Sequence, residues 1–154
     1  IKSNKDLTIT NPEMTRFMMS LDNAVDLVNF AFLNGEQGDL LIQKSPAAKI
    51  ITLAESLIEI FESKSRIKSI GIRHGEKMFE TLVTKEEMMK ASDLGNYYKI
   101  ESDSRGLNYE KYFSDGETLG KMPNEYNSSN TKILNKKELI DLLLSLAEVK
   151  MHLN

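Results

Sequence analysis

Two arginines, Arg16 and Arg73, stand where a guanidinium group could bind an anion. Arg16 lies in otherwise apolar or neutral surroundings. Arg73 ends an isoleucine-rich predicted strand and is followed by Gly75 and by the start of a predicted helix, where the partial positive charge favours anions. A guanidinium fork beside such a turn suits a diphosphate. The alternative left open is that each arginine pairs with a neighbouring acid, such as Glu13 or Glu76.

No complete motif for catalysis or cofactor binding is present. The sequence has no G-x-G-x-x-G dinucleotide-binding fingerprint, and no tyrosine is followed four residues later by the lysine of a Tyr-x-x-x-Lys catalytic pair. His74, in a predicted strand-to-helix turn, is expected to serve packing or hydrogen bonding. The acids at Glu86-Glu87, Glu138 and Asp141 fit helix starts and solvated faces better than acid/base catalysis. We therefore assign no catalytic residue.

Composition excludes several classes of function. The chain has no cysteine and two histidines, so neither a disulfide framework nor a zinc site is expected. A formal net charge of −3 gives no electrostatic basis for binding nucleic acid or an anionic membrane. Without a membrane-length apolar run or a signal peptide, we expect a cytoplasmic protein. Because the sequence starts at Ile1 and not at methionine, we expect either a piece of a longer polypeptide or a deliberately trimmed chain.

The hydrophobic period alternates between helical and strand-like along the 154 residues, which predicts an α/β fold. A first helix is predicted over residues 21–34, with Ser20 as its N-cap and Gly35 at its end. A short strand follows at 40–42. Ser45-Pro46 then separates this strand from a second helix that ends near residue 61.

Further elements are predicted in the second half of the chain. Isoleucines at 67, 70 and 72 predict a strand that leads to Arg73 and then to a helical pattern with apolar residues at 78, 79, 82 and 83. Capping boxes are predicted at residues 84–87 and 135–138. Residues 94–126 have the composition of turns, short strands and loops. A terminal amphipathic helix is predicted from Asn135 to Val149.

Three segments together resemble the C-terminal half of bacterial UDP-N-acetylglucosamine 4,6-dehydratases, which are capsular and O-antigen polysaccharide enzymes of the extended short-chain dehydrogenase/reductase superfamily. They are TITNPEMTRF (8–17), SLDNAVDLV (20–28) and RHGEKMFETL (73–82). Residues 97–113 look like the extra C-terminal region of the capsule-type branch, and EYNSSNT (125–131) looks like its closing motif. The resemblance covers essentially the whole chain.

This resemblance implies a division of labour. The family's other half carries the NAD(P) loop and the catalytic Tyr-Lys pair, so this chain is expected to bind no cofactor and to lack the Rossmann half. Arg16 and Arg73 align with arginines that contact the diphosphate, and Glu76 aligns with an acid that accepts from the ribose hydroxyls. Arg105 is a candidate for a flexible latch, an oligomer contact or a simple surface residue, and Gly106 departs from the aspartate expected after it.

The expected organisation is a UDP-sugar-binding part over residues 1–93 and a family-specific region over 94–154. The expected function is that of a substrate-binding fragment of the dehydratase, binding UDP-sugar weakly and inactive alone. We expect it to form a homo-oligomer or to pair with an N-terminal half. The alternatives are a non-enzymatic interaction module from a truncated gene product and an independent small-molecule binder.

Overall fold

Helices and short strands alternate along the chain, as the sequence predicts for an α/β protein. The structure, a computed structural model, describes residues 1, 5–102 and 123–153. Within those residues the strands are β1 (Leu7–Ile9), β2 (Thr15–Phe17), β3 (Leu40–Gln43), β4 (Ala47–Lys49), β5 (Ile67–Ser69), β6 (Thr81–Val83), β7 (Ala91–Asp93), β8 (Tyr97–Ile100) and β9 (Tyr126–Asn127). The helices are α1 (Leu21–Asn34), α2 (Ile50–Ile60), α3 (Lys85–Met88), α4 (Lys136–Ser145) and α5 (Ala147–Leu153).

The strands form small sheets. β1 pairs with β5 in parallel, and β2 pairs with β4 in antiparallel register. β8 lies between β3 and β7 in an antiparallel three-stranded sheet, and β6 pairs with β9. The chain divides into two compact units. The first unit comprises Ile1–Asn23, Ser45–Thr81 and Asn127–Asn154, and the second comprises Ala24–Lys44 and Leu82–Tyr126. The division at residues 93 and 94 drawn from the resemblance stays a prediction.

The core of the first unit lies between α2 and α4. Ala48, Leu134, Leu139 and Leu143 are buried there, and the apolar face of α2 packs against them. The predicted capping box starts α4, because the Asn135 side chain accepts from the backbone N–H of Glu138 and the Glu138 carboxylate accepts from that of Asn135. Ala48 belongs to strand β4, so this core anchors β4 and, through it, the paired strand β2.

The second unit is built on the sheet β3-β8-β7. The ring of Tyr97 stacks on Phe30 of α1 with centroids 3.9 Å apart. Lys99 of β8 forms a 2.9 Å ion pair with Asp39, whose side chain is only 4% exposed. The Lys99 ammonium and the backbone N–H of Glu36 lower the pKa of the Asp39 carboxyl, and the carboxylate in turn raises the pKa of Lys99. This pair joins β8 to the turn that precedes β3.

Several sequence predictions are confirmed. α1 spans the predicted range, with the Ser20 hydroxyl accepting from the backbone N–H of Asn23 and Gly35 ending the helix. β3 forms where a strand is predicted, and the capping box at Thr84 and Glu87 is present. The helix and the capping box depend on residues within a few positions of one another, which is why sequence pattern alone predicts them.

The predicted helix over residues 78–83 is wrong. Residues 70–80 contain no helix, and Thr81–Val83 forms strand β6. The backbone groups that a helix would use are bonded to distant segments: the N–H of Ser128 donates to Glu80 O, and the N–H of Thr15 donates to Met78 O. The strand after residue 66 also ends earlier than predicted, at Ser69.

Two further differences from the sequence prediction are an additional strand and a break in the terminal helix. Strand β4 was not predicted and occupies the residues just before α2. The predicted terminal helix is divided into α4 and α5, because Leu146 adopts an extended backbone with ψ 132°. The Ser145 hydroxyl donates to Leu142 O at 2.6 Å, a local bond that competes with continuation of the helix.

Every helix among the described residues is too short or too polar to span a lipid bilayer.

Candidate functional site

Strand β2 of the first unit carries Arg16. The Arg16 side chain is 29% exposed, and its guanidinium is held by backbone carbonyls. Nη1 donates to Thr15 O at 2.7 Å and Nη2 donates to Lys77 O at 3.0 Å. Nη2 also lies 3.8 Å from Met14 Sδ, and Nε lies 3.8 Å from Glu80 Oε1. Of the five N–H donors of a guanidinium, the second N–H of Nη1 is thus left for a ligand.

The loop over residues 70–80 carries Arg73 and Glu76. A tight turn joins them: the Glu76 N–H donates to Arg73 O at 3.1 Å, and the Arg73 N–H donates to the Glu76 carboxylate at 3.0 Å. Gly75 supports this turn with a φ of +84°, a conformation that a residue with a side chain rarely adopts. Because no helix follows, the helix N-terminus predicted to favour an anion beside Arg73 is absent, and the loop offers the turn and the side chains alone.

The 70–80 loop is bonded along the edge of β2 that faces away from β4. The Thr15 N–H donates to Met78 O at 2.9 Å, and the Phe17 N–H donates to the Glu80 carboxylate at 3.1 Å. Together with the bond from Arg16 to Lys77 O, these contacts attach the loop that carries Arg73 and Glu76 to the strand that carries Arg16. The fold therefore brings together residues that lie 61 and 63 positions apart in the sequence.

The open alternative, an arginine paired with an acid, is present at Arg16, although the acid is not one of the two suggested by the sequence. Glu13 pairs with Lys49 at 2.6 Å and not with Arg16. The acid near Arg16 is Glu80, whose Oε1 lies 3.8 Å from Arg16 Nε. The Glu76 carboxylate accepts from the backbone N–H of Arg73, the arginine with which the sequence suggested that it could pair. The site thus contains both cations and carboxylates, and a bound diphosphate would meet Glu80 beside Arg16.

Sequence reasoning missed two residues of this region, Glu80 and Ser128. Glu80 lies in the segment mistaken for a helix, where an acid is expected to face solvent. Ser128 is fully buried, and its hydroxyl accepts from the Glu80 N–H at 2.9 Å and donates to Thr15 O at 3.0 Å. The signal that pointed toward it was its place in the EYNSSNT segment.

Other sequence predictions fall around or outside this region. Arg105, the candidate latch residue, and Gly106 lie outside the described residues. His74 is exposed beside Arg73. In the part of the chain that the structure describes, no group of three or more His, Cys, Asp or Glu is placed to hold a metal ion. The turn carries the exposed Arg73, and the half-exposed Arg16 lies on strand β2, to which the loop is bonded. Guanidinium groups of this kind are suited to bind a dianion.

Comparison with known proteins matches residues 1–150 to two family models of polysaccharide biosynthesis proteins. A family model described as polysaccharide biosynthesis protein matches residues 1–102, and one described as polysaccharide biosynthesis protein C-terminal matches residues 103–150. A protein of Rickettsia bellii named UDP-glucose 4-epimerase is 57% identical over 99% of this chain and 45% of its own length. A protein of Rickettsia felis with the same name is 56% identical with the same coverage.

A solved structure is also similar. The X-ray structure of Pen from Bacillus thuringiensis aligns with a TM-score of 0.73 and 30% identity, over 94% of this chain and 41% of that chain. The chain therefore spans less than half the length of the curated relatives and of the solved structure that it matches.

Proposed function

The chain belongs to the polysaccharide biosynthesis protein family, and from this premise we propose that it is the substrate-binding part of a nucleotide-sugar-modifying enzyme. Arg16 and Arg73 would hold the diphosphate of a UDP-sugar, and Glu76 would accept from the ribose hydroxyls. The observation that supports this proposal is the attachment of the 70–80 loop, which carries Arg73, to strand β2, which carries Arg16.

Within that class we propose a UDP-N-acetylglucosamine 4,6-dehydratase for a capsular or other surface polysaccharide. The resemblance of residues 8–17, 20–28 and 73–82 supports the dehydratase. The Rickettsia relatives bear the name UDP-glucose 4-epimerase, which makes a C4 epimerase of a UDP-hexose the second candidate. Both names place the chemistry at carbon 4 of a UDP-linked sugar, and both call for the same recognition of UDP.

This chain would not perform the reaction by itself. It has neither the G-x-G-x-x-G loop nor the Tyr-x-x-x-Lys pair, so we propose that the NAD(P) cofactor binds to polypeptide that the relatives have and this chain does not span. With that polypeptide supplied, a 4-keto-6-deoxy product would identify the dehydratase, and a sugar inverted at carbon 4 would identify the epimerase. The cytoplasmic location stays a prediction.

Binding of UDP-sugar to this chain alone should be weak. Charge-assisted hydrogen bonds from two arginines and one glutamate contribute roughly 4 to 9 kcal/mol, at about 1.5 to 3 kcal/mol each. Loss of translational and rotational freedom costs at least about 4 kcal/mol before any side chain is ordered. We therefore expect a Kd no tighter than about 1 mM.

Substitution of the two arginines tests the proposed function. Arg16→Ala and Arg73→Ala should each weaken UDP binding at least about tenfold, because each removes a charge-assisted hydrogen bond. NMR titration with UDP to tens of millimolar would measure the change. Arg66→Ala, which removes an exposed arginine of the same unit outside the site, is the matched control and should bind UDP as the wild type does.

Equal affinity in all four proteins would contradict the assignment of Arg16 and Arg73, and would favour an interaction module or an unrelated small-molecule binder. A low-micromolar Kd for the wild type would contradict the expectation of weak binding.

A further inference from the structure

The hydroxyl of Ser128 is the centre of a buried hydrogen-bond network in the first unit. Ser128 has no exposed surface, and its Oγ contacts three groups: Thr15 Oγ1 at 2.8 Å, Thr15 O at 3.0 Å and the Glu80 N–H at 2.9 Å. The Ser128 N–H also donates to Glu80 O at 2.8 Å. One residue near the end of the chain thus bonds to two segments that are 113 and 48 residues away.

The direction of each bond follows from the number of protons. A serine hydroxyl has one proton and two lone pairs. The proton goes to Thr15 O, a carbonyl that only accepts, so the lone pairs accept from the Glu80 N–H and from the hydroxyl of Thr15. Every hydrogen-bonding position of the Ser128 hydroxyl is therefore used, and each depends on the other two for its geometry.

Both partners of Ser128 also contact Arg16. Thr15 O accepts from Arg16 Nη1 at 2.7 Å as well as from Ser128 Oγ, so one carbonyl joins the serine hydroxyl to the guanidinium. Glu80 places its carboxylate against the Phe17 N–H and 3.8 Å from Arg16 Nε. Its backbone is fixed by both bonds to Ser128.

We infer that Ser128 is a positioning residue for Arg16: its buried hydroxyl fixes the Thr15 carbonyl and the Glu80 backbone, which in turn orient the guanidinium. The importance of this orientation for ligand binding rests on the proposed function, whereas the orientation itself does not. The EYNSSNT segment thus contributes to the site although its Ser128 lies 113 positions from Thr15 in the sequence.

Substitution of Ser128, with its neighbour as control, tests the inference. Ser128→Ala removes the central hydroxyl, and Ser129→Ala removes an exposed hydroxyl that bonds to the Asn127 side chain. The measurement is the ¹⁵N NMR signal of Arg16 Nε–Hε, assigned by its absence in Arg16→Ala. We expect an ordered signal in the wild type and in Ser129→Ala, and a signal typical of a mobile arginine in Ser128→Ala.

UDP affinity is measured on the same proteins. If the loss of an oriented guanidinium costs as much as one typical hydrogen bond, UDP should bind Ser128→Ala about fivefold more weakly than the wild type. The affinity of Ser129→Ala for UDP should be unchanged. Because Ser128→Ala leaves buried donors unpaired and could fail to fold, Ser128→Cys serves as the milder variant. Its thiol fills the space but hydrogen-bonds weakly, and it should shift the Arg16 signal in the same direction.

The outcomes separate the two claims. The inference is overturned if the Arg16 signal of folded Ser128→Ala or Ser128→Cys shows the same order as that of the wild type, even if UDP affinity falls. A mobile Arg16 in these variants supports the inference, and if the wild type then binds no UDP, the proposed function alone fails.

Discussion

At the scale of single residues, the site depends on backbone conformation as much as on charge. Gly75 has a φ of +84° between Arg73 and Glu76, and a Cβ built there would meet no atom within 4 Å. The cost of a side chain at this position is therefore backbone strain and not a steric clash with neighbours. Such strain would fall on the turn that presents Arg73.

Gly75→Ala should weaken UDP binding several-fold while the chain stays folded. The left-handed conformation costs a residue with a Cβ about 1 kcal/mol, so the turn should rearrange and move Arg73. Gly95→Ala is the matched control, because Gly95 has a φ of +79° and equally open surroundings but lies in a turn of the second unit. Urea unfolding and UDP titration would be measured together. Similar losses of stability with equal UDP affinity in both variants would argue against a role for this turn in binding.

Residue identity in the site was predictable only in part. The positions of Arg16 and Arg73 suggest anion binding by residue type, and the resemblance adds Glu76. Ser128 could not be found in this way, because its role depends on hydrogen bonds to residues 48 and 113 positions away, which leave no periodic signal in the sequence.

At the scale of elements, the second unit is held by a charged contact between a strand and a turn. The Asp39 carboxylate accepts from Lys99 Nζ and from the Glu36 N–H. Hydrogen bonds to the ionised form lower the pKa of Asp39, and the same contact raises the pKa of Lys99. Both shifts favour the charged pair in the folded state.

The stability of the protein should therefore fall in acid partly because of Asp39. A carboxyl whose folded pKa is depressed contributes stability above its unfolded pKa, about 3.9, and loses it as pH falls through the lower folded value. The free-energy difference between wild type and Asp39→Asn, measured by urea unfolding, should be larger at pH 7 than at pH 3. At the alkaline end, the contribution of Lys99 is complete below its unfolded pKa, about 10.4, and is lost as pH rises through the raised folded value.

Asp26→Asn is the control for this experiment, since Asp26 is exposed on α1 and the change in charge is the same. If Asp39→Asn and Asp26→Asn show the same pH dependence as the wild type, the pair does not contribute as described.

Elements with a local signal were predictable, and so was β3 with its run of aliphatic residues, whereas β4 and β6 were not. α1 and the capping boxes have their signals within four residues. The apolar spacing at residues 78–83 fits a helix equally well, but the 78–80 segment bonds to β2 and to Ser128 and leads into β6. The extended conformation is stabilised by hydrogen bonds to remote parts of the chain, which the local sequence pattern does not reveal.

Considering the molecule as a whole, α1 exposes an apolar face that no residue of the described ranges 1, 5–102 and 123–153 buries. Leu21, Val25, Val28 and Phe32 recur at helical spacing and are 75%, 51%, 52% and 85% exposed, and no residue of α1 is buried. Full burial of one such side chain contributes about 1.5 to 3 kcal/mol. Because the curated relatives are more than twice as long as this chain, we propose that the polypeptide they have beyond the matched region covers this face.

Phe32→Asp should abolish that association. The partner to use is the part of the Rickettsia bellii relative that lies outside the match, produced separately and mixed with this chain. Light scattering should detect a 1:1 complex with the wild type and none with Phe32→Asp. Met151→Asp, which changes an exposed apolar residue of α5, should bind as the wild type does.

Absence of a complex with the wild type would contradict this assignment of the face. Self-association of the wild type that Phe32→Asp prevents would assign the face to a second copy of the chain instead.

If Arg16 and Arg73 hold one diphosphate, a crystal structure of the chain soaked with UDP should show it between them. We expect density for the diphosphate within hydrogen-bonding distance of both guanidinium groups. UDP bound away from both arginines, or guanidinium groups too far apart to reach a single diphosphate, would contradict it.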